Sequence, residues 1–115
     1  LALRAAVLAL VESMEAVVRV ARWPAGETVP EPLVASARAV VERLAAADRF
    51  LASRYDGRNV DAASVAAMCD GARKLDVAYR AYRARANGSP RDVHAAALAL
   101  EQELATVTEA IGAPL

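Results

Sequence analysis

Two carboxylates standing in apolar rows are the residues of this chain best placed to do chemistry. Val34, Val41, Asp48 and Tyr55 recur every seven residues, so on a helix Asp48 shares a row with apolar groups. Asp76 repeats the pattern, seven residues after Cys69 and seven before Arg83. Burying an unpaired carboxylate is expensive, so each position calls for an Arg, Lys or Tyr partner or for access to water. Arg49, Arg73, Arg80, Tyr79 and Tyr82 are the available partners. Asp48, Asp76, Tyr79 and Tyr82 are therefore the candidate polar pocket, where an acid–base enzyme would keep its titrating groups. The structural alternative outweighs it: a polar contact that specifies the packing, or a local Asp76–Arg80 pair four residues apart on one helix.

A second constellation is electrostatic. From Arg73 to Arg91, six cations face Asp76 alone, a balance of +5, whereas Asp92 to Leu115 carries four acids and no cation, a balance of −4. Arg80, Arg83, Arg85 and Arg91 form a candidate anion-binding set for a phosphate, nucleotide or RNA backbone, with Tyr82 available to stack. The simpler account is that cations suit the carboxyl end of a helix through its dipole. The formal net charge of zero gives no long-range pull toward nucleic acid or an anionic membrane, so neither is an expected partner.

Other chemistries lack their residues. One histidine, His94, has Arg91 where a Glu-x-x-His metal motif needs its glutamate, which excludes a di-iron site of the bundle type. The lone histidine also removes paired-histidine zinc and bis-histidine haem, so neither metal nor cofactor is expected. Cys69 is the single cysteine, which excludes an intrachain disulfide, and it reads as a small apolar packing group. No Gly-rich phosphate loop or Ser-His-Asp arrangement occurs. The apolar opening from Leu1 to Val11 ends at Glu12, too short to cross a bilayer, which leaves the cytoplasm as the default location. The chain starts with Leu rather than Met, so a removed upstream segment stays open.

The elements that position these groups are unambiguous in type. Hydrophobic residues make up 57% of the 115 residues, many of them alanine, which favours helix and close helix approach over large buried area. Four apolar stripes step by three and four: Leu3 to Ala21, Leu33 to Leu51, Val65 to Tyr82, and Val93 to Ile111. They predict helices over about 2–23, 32–55, 62–86 and 90–111. Pro24 stops the first; Pro32 opens the second and Gly57 closes it; Asp61 caps the third, with Val60 and Val65 as a staple; Ser89-Pro90 opens the fourth and Gly112 closes it. Short connections then predict an all-α fold of one domain, an antiparallel up-down-up-down four-helix bundle.

Helix one holds more apolar surface than one seam requires, because Leu8, Val11, Val18 and Val20 add to its stripe. No helix is central in a four-helix monomer, so the surplus predicts self-association or a protein partner, with Leu8, Val11, Val18, Val20 and Trp23 as the candidate interface. The leading expectation is a non-enzymatic protein–protein interaction module. An anion-binding subunit and an enzyme with an Asp/Tyr site are the alternatives.

Overall fold

A computed structural model describes residues 2–52 and 62–112. Among these residues the protein is entirely helical, without strands: α1 (Ala2–Ala21), α2 (Glu31–Arg38), α3 (Val40–Ala52), α4 (Ala62–Arg85) and α5 (Pro90–Ile111). Only Ala39 separates α2 from α3, and the hydrogen-bond ladder continues across it. The Ala39 N–H donates to the Ala35 carbonyl at 3.1 Å and the Arg43 N–H to the Ala39 carbonyl at 3.0 Å. The helical segments thus form four rods, the second interrupted where the sequence predicts one continuous helix. With φ −69° and ψ −9° at Ala39, the turn tightens there, and neither proline nor glycine marks the spot.

Local chemistry sets the ends that fall within the described residues. α1 stops at Ala21, two residues short of the expected Trp23, and the Trp23 N–H closes a tighter turn on the Val20 carbonyl before Pro24. Pro32 sits in the first turn of α2, where its missing N–H costs nothing. Ser89 caps α5 by accepting from the Asp92 N–H at 3.2 Å, and Gly112 ends it at φ 69°, a left-handed conformation that favours glycine. Tyr55, Gly57, Val60 and Asp61 lie outside the described residues.

The stripes face inward. Leu3, Val7, Leu10 and Met14 of α1, Met68, Ala72 and Leu75 of α4, and Leu100, Leu104, Val107 and Ile111 of α5 are all buried. Rod two contributes least: α2 buries none of its residues, and among the described side chains of α3 only Val40 and Ala47 are buried. Leu33, Ala37 and Leu44 of its stripe are half-buried.

α1 is the hub, contrary to the expectation that no helix is central. It touches every other helix, whereas among the described residues α3 meets α4 sparsely, α2 does not pack on α4, and neither reaches α5. Being covered on several sides, α1 needs a wide apolar circumference. Val11 and Val18, the surplus residues of the sequence reading, are 5% and 6% exposed. Arg43 Nη1 donates to the Ala9 carbonyl at 2.8 Å and ties α3 to α1, while Arg22 pairs with Glu101 and ties the end of α1 to α5.

α4 and α5 form the most extensive pair. Gly71 faces Val107 and Ile111, whereas Ala81, Tyr82 and Arg85 lie beside Ala96 and Ala99, so the two helices run in opposite directions. A Cβ at Gly71 would stand 3.0 Å from Val107 Cγ1, so glycine permits this close approach.

Candidate functional site

The four residues of the expected polar pocket do not converge. Asp48 is exposed on α3, because that rod turns the Val40–Ala47 row inward and leaves Val41 and Asp48 about 100° further round the helix. Its row is a surface row and not a seam. Asp76 is half-buried and accepts a hydrogen bond from Arg80 Nε at 3.0 Å, the local four-residue pair anticipated as the structural alternative. Only Tyr79 and Tyr82 meet, their rings stacked with centroids 6.3 Å apart and planes at 29°.

Nor do the four arginines make one anion site. Arg80 is engaged by Asp76, Arg83 lies at the groove between rod two and α4, Arg85 lies at the groove between α4 and α5, and Arg91 is exposed in the first turn of α5. Positions two and five residues apart on a helix fan out by more than 100°, so clustering in sequence does not become clustering in space. His94 is exposed and Cys69 is half-buried against the core. No group of three His, Cys, Asp or Glu among the described residues could hold a metal ion. No described helix is long and apolar enough to cross a membrane.

Of the candidate interface on α1, Val11 and Val18 pack into the chain's own core, and Leu8 rests half-buried against it. That burial removes the argument for a helix-one interface, since the surplus apolar surface already has partners. Val20 and Trp23 are also half-buried. The Trp23 Nε1 is buried without a hydrogen-bond partner.

What the structure assembles is a groove of about 430 Å³. Its floor is Val17 and Val20 of α1; Val34, Ala37 and Val41 form one wall; Tyr79 and Tyr82 of α4 form the other. Arg38 and Arg83 complete it, one from each wall. The groove exists because rod two presents Ala37 and half-buried Val34 where bulkier residues would reach the tyrosines. Val41, at its lip, is 65% exposed. Burial pushes the Tyr82 phenol above its usual pKa, neighbouring Tyr79 adds to this, and Arg83 opposes it. Tyr82 is therefore a neutral hydrogen-bond donor at physiological pH, not a base.

Sequence reasoning finds Tyr79, Tyr82, Val20 and Arg83 but misses Arg38 and the role of Val41. The usable signal is the small residue Ala37 of rod two, which lines the groove with the large aromatics of α4. No protein-family model, curated protein or solved structure matches the chain.

Proposed function

We propose that the chain is an antiparallel up-down-up-down four-helix bundle acting as a non-enzymatic protein–protein interaction module, with the groove between rod two and α4 as its contact face. Support for the bundle comes from matched levels along the rods. Ala9 lies by Arg43 while Ala16 and Arg19 lie by Leu33, so α1 and rod two run oppositely, as α4 and α5 do. The observation that carries the function is the open apolar groove with exposed Val41 at its lip. Burying a valine-sized side chain contributes roughly 1.5–3 kcal/mol, so a partner gains by covering Val41, whereas Val17, Val40 and Tyr79 of the lining are already buried in the core. An enzyme is less well supported, because Asp48 and Asp76 do not line the groove.

The test is to select binders from a displayed library of helical peptides and map them with single substitutions. Val41→Asp is expected to weaken the selected binders at least tenfold, while Val77→Asp and Leu98→Asp, at exposed apolar sites outside the groove, leave them unchanged. Binders lost on the Val77 or Leu98 variant and retained on Val41→Asp overturn the reading, as does a selection that yields none.

A further inference from the structure

Charge singles out this groove. Three other grooves formed by described residues are mixed in sign: Glu12 and Glu15 with Arg19 between α1 and α2, Arg85 with Glu103 between α4 and α5, and Arg73 and Lys74 with Glu103 on the outer side of α4. The groove between rod two and α4 holds two guanidiniums and no carboxylate. Among the described residues Arg38 and Arg83 make no ion pair, as is true also of Arg19, Arg73 and Arg85 in the other grooves; what sets this groove apart is that no carboxylate lines it.

Its length is the second constraint. Val34 to Val41 on one wall, across the tightened turn at Ala39, and Tyr79 to Ala86 on the other, ending one residue past α4, each advance by seven residues. At 1.5 Å per residue that is about 10.5 Å, the reach of a helix from position i to i+7. Two helical walls with an apolar floor match the way one helix ridge seats between two others.

We infer that the occupant of the groove is an acidic amphipathic helix from another protein. An apolar row at i, i+3 or i+4, and i+7 lies along Val34, Val41 and Tyr82, and flanking carboxylates meet Arg38 on one side and Arg83 on the other. This rests on the interaction-module reading above and adds the sign and shape of the partner. Arginine suits the role because its planar fork pairs with carboxylates in two-bond geometry; Arg83 stands on α4, which the core fixes, and Arg38 ends α2, which lies on α1. Two partly exposed ion pairs contribute modest affinity and strong discrimination against a basic partner.

Three synthetic helical peptides test this, with one two-turn Leu/Ile row and flanks of Glu, Gln or Lys, titrated by calorimetry into the whole chain. The Glu peptide is expected to bind tightest, to weaken several-fold as NaCl rises from roughly 50 to 500 mM, and to weaken about tenfold on the Arg38→Gln/Arg83→Gln chain. The Arg38→Glu/Arg83→Glu chain is expected to prefer the Lys peptide. Circular dichroism melts of each variant separate lost binding from lost fold, and both arginines are exposed, so the folds are expected to hold. Equal binding of Glu and Gln peptides, insensitive to salt and to both arginine variants but sensitive to Val41→Asp, overturns the acidic partner and leaves the interaction groove intact. No binding by any peptide, together with unchanged behaviour of the Val41→Asp chain, overturns both. Two other occupants are outcomes that would also refute it: a dimer of the chain alone in sedimentation that Val41→Asp abolishes, or Val41-dependent binding to phosphatidylserine vesicles without peptide binding.

Discussion

Replacing Ser13 with alanine is expected to stabilise the protein by about 1 kcal/mol, although Ser13 sits in the middle of the core. Its side chain is fully buried and its Oγ has no hydrogen-bond partner. A helical serine ordinarily donates to the carbonyl four residues earlier, which here is that of Ala9. Arg43 Nη1 already occupies that carbonyl at 2.8 Å. An unpaired buried hydroxyl carries a desolvation penalty of about 1–3 kcal/mol, and alanine is a better helix former by about half a kcal/mol. Against this stands the void left by one oxygen, roughly 0.3 kcal/mol at ~24 cal/mol per Å³.

The assay is urea and thermal unfolding of Ser13→Ala, with a rise in Tm of about 4 °C expected for a chain of this size. Arg43→Met makes the reasoning sharper, because it frees the Ala9 carbonyl for Ser13. In that background the gain from Ser13→Ala is expected to vanish, a coupling of about 1 kcal/mol in the double-mutant cycle. Additive effects would refute the competition for the Ala9 carbonyl, and a Ser13→Ala chain less stable than the parent would refute the whole account. Thr108 shows the satisfied counterpart: equally buried, its Oγ1 donates to the Leu104 carbonyl at 2.8 Å.

Gly71→Ala is expected to be nearly neutral in urea unfolding, since a gain in helix propensity of about 1 kcal/mol is offset by the contact with Val107, a β-branched side chain with little rotamer freedom. Gly71→Leu at the same site is expected to cost about 1–3 kcal/mol through forced separation of α4 and α5, and a Leu variant as stable as the parent would refute their close approach. Glu15 has its pKa raised, first by burial and then by neighbouring Glu12, with Arg19 opposing. The folded state thus holds the Glu15 proton above the ordinary carboxylate pKa while the unfolded state has released it, so this group's contribution to stability falls as pH rises through that window. Glu15→Gln is expected to raise stability at pH 7 by a few tenths of a kcal/mol after solvent screening, with no gain at pH 3, in paired thermal melts.

The positions legible in the sequence are those whose information is local. Leu10, Leu75, Leu100 and Leu104 read as core from spacing alone and are buried, because a stripe on one helix face has no other use in a compact chain. Ser89 and Gly112 read as caps because capping chemistry involves residues within one turn. Asp48 misled because a seven-residue recurrence exists on every face of a helix, and only the neighbours decide which row turns inward. The interruption at Ala39 carries no residue signature at all. The arginine set failed for a related reason: Arg85 is turned more than 100° around α4 from Arg80 and Arg83, and Arg80 is engaged by Asp76.

The central place of α1 and the open groove have one cause. Rod two faces the core with Val40, Ala47 and half-buried Ala37, side chains that let it lie close on α1 but leave an open groove beside half-buried Tyr82. α1 is then covered by rod two on one side and by α4 and α5 on others, so its extra valines are consumed internally. The groove left beside Tyr82 has exposed Val41 at its lip, and the other exposed apolar side chains among the described residues are Val77 of α4 and Leu98 of α5, none of them on helix one. Surplus hydrophobicity in a sequence thus gives the amount of apolar surface that needs a partner. In this chain part of that need remains unmet at Val41 on the least bulky rod and part at Val77 and Leu98 on α4 and α5.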